Sequence, residues 1–248
     1  ACHAVKLIYA SMYSDTARSY YETVKHNIEE EKMAIVIQEG VGSRFGNYFY
    51  PHISGVAQSY NFYPMAGMKP EEGYAVAGVG LGCYVVGGYP CYRFSPKYPS
   101  VQMYTKNDLL KSTQTKFFAL DLSLQDVDLL KNGELAALKF LSIYDAENPG
   151  ALKHLASVYN RDNDTITAGL DGYGARIVNF ADILQYDYFP LAETIDMILN
   201  VVKDAFGSAV EIEYAVNLNK AKNGKPTFYL LQIKPMVGSF EQKDIRLD

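Results

Sequence analysis

The sequence has no tryptophan, three cysteines and four histidines among 248 residues. No apolar run approaches the roughly 20 residues that a membrane-crossing helix needs, and the N-terminus lacks a basic segment followed by a hydrophobic stretch. A spanning or exported protein is therefore not expected. Cys2, Cys83 and Cys91 are odd in number and lack CxxC spacing, which argues against a disulfide framework and for a reducing, cytoplasmic compartment. His26, His52 and His154 lack the paired spacing of metal ligands and read as ordinary histidines. Basic stripes are missing too. The 23 Lys and Arg residues are scattered among 28 acidic ones for a net charge of −5, which weighs against a nucleic-acid partner. Repeats and low-complexity tracts are absent. What remains, 48% apolar and 21% charged residues, is the composition of a packed globular protein and excludes disorder, collagen-like and coiled-coil architectures.

The chain starts at Ala1 without Met and enters a helical pattern at once, so it reads as a piece of a longer protein. A first helical segment runs to about Ser11, and Ser14-Asp15 reads as a cap for a second over Thr16 to Glu29. Met33 to Glu39 is a short, β-branched apolar run, hence a buried strand. From Ser54 to Arg93 glycines alternate with β-branched and aromatic residues, predicting short strands and tight turns, including Tyr84 to Gly88, with one helix near 71–80. Residues 160–164 form a polar turn between two strands, and its spacing lacks the features of a calcium loop. Pro190 opens the clearest helix, with Leu191, Ile195, Ile198, Leu199, Val202 and Phe206 on one face and Gly207 as its stop. The end is a hairpin: Val210 to Leu218, a turn around Lys222 to Lys225, and Thr227 to Ile233.

That hairpin carries the chemistry. Glu211 and Glu213 alternate with Ile212 and Tyr214, and the period of two puts both carboxylates on one face. Gln232 and Lys234 share parity in the returning strand. One face can thus present two acids, an amide and a cation, the set required by Mg²⁺ bridging nucleotide phosphates and by a developing phosphoryl charge. By periodicity alone, an exposed face with cross-strand ion pairs is the stronger reading.

The hairpin resembles the end of the ATP-grasp nucleotide-binding domain of phosphoenolpyruvate synthase and pyruvate phosphate dikinase. The matching segments are Glu211-Ile212-Glu213-Tyr214 and Leu231-Gln232-Ile233-Lys234-Pro235. Upstream, Ala4 to Ser11 with Ala17 to Tyr20, Val36 to Glu39, Ser54 to Ala57, and Gly80-Leu81-Gly82 with Val85-Val86-Gly88 follow in the family's order. The resemblance covers roughly 4–99 and 209–237, and the stretch around 100–190 reads as an insertion.

It implies an α+β fold, the C-terminal part of an ATP-grasp domain, with a mixed or antiparallel sheet and packed helices. Residues 1–42 would be helices and a strand of the preceding subdomain, 43–240 the C-terminal subdomain, and 241–248 a tail. The implied cofactors are ATP and Mg²⁺. Glu211 and Glu213 would hold metal, Lys234 and Gln232 would act on the phosphates, and Gln38, Glu39, Val41, Gly55 and Gln232 would contact nucleotide. The implied activity is phosphorylation of a carrier histidine that passes the group to pyruvate, with carrier and pyruvate-binding domains elsewhere in a parent chain as partners. The resemblance leaves room for a homodimer. Because the ATP site of this fold lies between two subdomains, the isolated chain is expected to bind MgATP weakly and not to turn over.

Two departures stand out. Lys234 replaces the usual Arg and loses its bidentate grip on phosphate, and Cys83 stands where synthases usually have Glu. They leave open a rival reading, a nucleotide-sensing or interaction module without the chemistry. Cys2-His3 resembles the carrier-histidine motif only superficially. Gly78 to Gly82 lacks the Lys-Ser/Thr ending of a P-loop, and Tyr48 to Tyr50 reads as a flap over the site.

Overall fold

The computed structural model describes residues 2–25, 27, 30–65, 67–125, 127–219 and 225–236. In chain order its helices and strands are α1 (Cys2–Ser11), α2 (Asp15–Thr23), β1 (Ser43–Phe45), β2 (Tyr48–Tyr50), β3 (Ile53–Gln58), β4 (Tyr74–Gly78), α3 (Cys83–Val86) and β5 (Tyr92–Phe94). There follow α4 (Lys106–Ser112), β6 (Lys116–Asp121), α5 (Leu129–Asn132), β7 (Leu138–Ser142), β8 (Ala156–Asn160), β9 (Thr165–Ala168), β10 (Ala175–Val178), α6 (Ala181–Leu184), α7 (Leu191–Phe206), β11 (Val210–Asn217) and β12 (Thr227–Pro235). The chain is α+β and divides into two compact units.

One unit comprises Ala1–Gly40 and Leu124–Leu138. Ser14 caps α2 as expected, its side chain accepting the Ala17 N–H, but the helix stops at Thr23 rather than Glu29. Lys25 takes a left-handed φ of 55°, which ends the turn. The strand expected over Met33 to Glu39 is not formed. Val36 and Ile37 are each 85% exposed. β-Branched residues make a strand only when a neighbouring ladder and a covering layer accept them, and among the described residues no strand pairs with this segment.

The second unit comprises Val41–Ser123 and Lys139–Asp248. Its principal sheet is antiparallel throughout, in the order β12-β11-β3-β4-β5. A four-stranded sheet, β1-β2-β6-β7, and a three-stranded one, β10-β8-β9, complete it. The amphipathic helix α7 lies against β11, β3 and β12. It buries Leu191, Ala192, Ile195, Leu199 and Val202, and Gly207 ends it at φ 65°. Along β11 the alternating residues Val210, Ile212, Tyr214 and Val216 enter the core. The opposite face of the same strand is thereby left for Glu211 and Glu213.

Three segments depart from the sequence expectation. Residues 74–78 form strand β4, where a helix was expected near 71–80: Ala75 and Ala77 face the core while Tyr74 and Val76 face outward, a period of two. Conversely, Cys83–Val86 is one helical turn where a strand was expected, enclosed by Gly82 and Gly87. Tyr50 is buried in contact with the Phe45 and Phe117 rings. The Tyr48 to Tyr50 segment is therefore a core strand and no flap. The polar turn at 160–164 does join β8 to β9, with Asn160 Oδ1 accepting from the Asp162 and Asn163 amides. The turn of the last hairpin and the tail at 241–248 lie outside the described residues.

Candidate functional site

The register of the final hairpin places Glu211 opposite Lys234 and Glu213 opposite Gln232. On its other side β11 pairs with β3, setting Glu211 beside Gln58 and Glu213 beside Val56. Directly opposed residues of an antiparallel ladder share a face, so both acids, the amide and the cation emerge together. A bulge between Glu213 and Tyr214 shifts the ladder by one residue just past this group.

Glu211 is gripped from both flanking strands. Gln58 Nε2 donates to its Oε2 at 2.5 Å, and Lys234 Nζ lies 2.6 Å from its Oε1. The same ammonium is 3.8 Å from Glu213 Oε1. The hydrogen bond that Lys234 donates to Glu211 and the charge of both carboxylates push its pKa above the ordinary value. These groups border a cleft of about 270 Å³. Val56, Tyr74 and Val76 of the sheet line it, and Val85 and Val86 of α3 close one side. Behind it, the Arg93 guanidinium lies 3.9 Å from the centre of the Tyr74 ring and donates through Nη2 to Asn61 Oδ1 at 2.6 Å. The result is a half-buried apolar trough ending in two carboxylates and an ammonium.

Gly55 faces the opposite side of the sheet. A Cβ there would come within 2.4 Å of Tyr214 Oη and 2.2 Å of the Val76 carbonyl, so its visible role is to admit the Tyr214 ring. Gln38 and Glu39 belong to the first unit, and Val41 begins the second. Gln232 is exposed beside Glu213. Cys83 is exposed at the start of α3, one residue before buried Tyr84. In the Gly78 to Gly82 loop, the Val79 amide is already bonded to Gln114 Oε1 and the Leu81 amide to the Phe118 carbonyl. Gly80 adopts φ 91° against the Phe117 ring, so these glycines serve close packing. Sequence reasoning missed Gln58 and Tyr74; the signal was the parity of Gln58 with Val56, which puts both on one face of β3.

Among the described residues no three or more His, Cys, Asp or Glu side chains gather as a metal cage. Two carboxylates do fit a cation that takes one or two protein carboxylates and fills its remaining sites with phosphate and water oxygens, which is the habit of Mg²⁺.

The family model described as the AMP/ATP-binding domain of pyruvate phosphate dikinase matches residues 1–246. The chain belongs to this family. No curated protein matches it. Membership brings AMP or ATP binding within a family of phosphotransferases, and the match extends through the 100–190 region. No helix among the described residues is long and apolar enough to cross a membrane.

Proposed function

We propose that the Glu211, Glu213 and Lys234 face is where this family member holds the phosphates of ATP with Mg²⁺, as part of a phosphoenolpyruvate synthase-like enzyme that phosphorylates a carrier histidine and thence pyruvate. The observation that carries the reading is the convergence of two carboxylates and one ammonium at the mouth of a single cleft. Glu211 and Glu213 would hold the metal, which supplies charge neutralisation across the phosphates. Lys234 offers a mobile point charge to a phosphate oxygen once released from Glu211, and Gln58 keeps Glu211 oriented when Lys234 leaves. Gln232 is the neighbouring amide donor. Tyr74, Val56 and Val76 exclude water from one side of the trough.

The rival reading, a nucleotide sensor that has lost phosphoryl transfer, is favoured by Lys234 in place of Arg and by the exposed Cys83 thiol in place of a carboxylate. The two separate in the full-length protein. ATP- and pyruvate-dependent formation of phosphoenolpyruvate, lost in Glu213→Gln and Lys234→Ala, supports the enzyme. Nucleotide binding without phosphohistidine or phosphoenolpyruvate supports the sensor.

A further inference from the structure

We propose that a second cavity, beside β8, is a small-molecule site for a neutral, ring-sized ligand whose edge carries a hydrogen-bond acceptor next to a donor, as in a primary carboxamide or an aminated nucleobase. The cavity, of about 250 Å³, shares no lining residue with the Glu211 cleft. Its floor is polar and almost wholly buried: Ser157 is 1% exposed and Asn179 8%. Asn179 Oδ1 accepts from Ser157 Oγ at 2.8 Å and from the Ala181 amide at 3.3 Å. A peptide N–H can only donate, so the atom facing Ala181 is the amide oxygen and the orientation of the carboxamide is fixed. Its NH₂ group donates to no described residue and is open to the cavity that the side chain lines.

Ser157 Oγ spends its proton on Asn179 and keeps lone pairs to accept with. The floor therefore offers one donor and one acceptor side by side, the complement of an amide or amidine edge. Leu109, Ile166, Ala168 and Ala181 supply an apolar wall for a planar ring, and Gln102, Gln185 and Tyr186 complete the lining. Lys106, which borders the cavity, is ion-paired with Asp164, so the cavity offers no unbalanced charge and suits an uncharged ligand. Polar groups on a cavity floor with unused hydrogen-bonding capacity mark either a ligand or ordered water, and the Leu109 and Ile166 side chains beside them give a ring an apolar surface to lie on.

The test is amide-resolved NMR titration of the chain with adenosine and with nicotinamide, each up to millimolar concentration. Saturable shifts at Ser157, Ala168, Asn179 and Ala181, retained in Glu211→Gln, are expected. A response to adenosine alone identifies a nucleobase, to nicotinamide alone a carboxamide, and to both the shared edge; all three support the site. Ala168 lies opposite Ser157 in the ladder, so Ala168→Phe fills the space above the floor and should weaken binding at least about tenfold. Asn179→Asp keeps both accepted bonds and turns the free donor into an acceptor; it should act similarly. If that variant does not fold, Ala168→Phe decides alone. No saturable shift with either probe, shifts confined to the Glu211 face, or binding unchanged in Ala168→Phe would overturn the proposal and leave a water-filled cavity.

Discussion

Lys234 Nζ sits 2.6 Å from Glu211 Oε1 and 3.8 Å from Glu213 Oε1, bridging the two carboxylates from the neighbouring strand. The lysine thus occupies the position of a cation between the acids. A metal entering between Glu211 and Glu213 must compete with it, and the displaced ammonium is then free to meet phosphate.

This competition has opposite consequences for metal and for nucleotide. Lys234→Ala should bind Mn²⁺ alone about twofold to fivefold more tightly, because a partly exposed ion pair contributes at most about 1 kcal/mol. The same variant should bind the metal–ATP complex more weakly, having lost the phosphate partner. Electron paramagnetic resonance of free Mn²⁺ checks the first effect and calorimetry with MgATP the second. Equal weakening of both would show that Lys234 only braces the acids.

The sheet beneath the site tolerates no side chain at Gly55. A methyl group there meets the Val76 carbonyl at 2.2 Å and Tyr214 Oη at 2.4 Å, while Tyr214 is buried and bonds that same carbonyl at 3.1 Å. Gly55→Ala should destabilise the fold by about 2–3 kcal/mol through overpacking. Urea denaturation measures it, and a change below about 0.5 kcal/mol, the range of ordinary surface substitutions, would contradict the packing described.

His52 gives a pH dependence of known sign. Burial pushes its pKa down from 6.5 to about 4, and Nδ1 accepts the Leu218 amide, which a protonated ring could not do. The unfolded chain therefore takes up the proton more readily than the folded one. The stabilising contribution of neutral His52 is fully present above pH 6.5 and is lost as pH falls from 6.5 to 4, amounting to about 3 kcal/mol. His52→Gln should flatten that part of the stability curve. An unchanged slope in the variant would place the acid sensitivity elsewhere.

Much of this arrangement was legible in the sequence because it rests on local periodicity. The alternation of Glu211 and Glu213 with Ile212 and Tyr214 set both parity and face, and Pro190 and Gly207 marked the ends of α7. The segments that misled share one property: their conformation depends on partners distant in sequence. Val36 and Ile37 have the composition of a strand but no ladder among the described residues. Tyr74 to Gly78 is a strand because β3 and β5 pair with it on either side. Gln58 escaped notice as a partner of Glu211 because 153 positions separate them, and only the β3–β11 register brings them together.

Cys83 is exposed at the start of α3, so a carboxylate introduced there remains hydrated. Cys83→Glu should leave the melting temperature within about 2 °C of the parent, in keeping with a surface substitution. In the full-length protein it should not lower Mg²⁺-dependent ATP consumption and should raise it if oxygen is the better metal partner at that position. A large fall in melting temperature would show that the thiol fills a packed site.

Metal and nucleotide are expected to meet at the Glu211–Glu213 face. Mn²⁺ in place of Mg²⁺ broadens NMR signals of nearby nuclei, so titrating the chain with Mn²⁺ in the presence and absence of ATP maps the ion directly, even where affinity is low. The predicted result is ATP-enhanced broadening centred on Val56, Tyr74, Val76, Glu211 and Glu213, abolished in the Glu211→Gln, Glu213→Gln double variant. Broadening centred elsewhere, or unchanged in that variant, would contradict it.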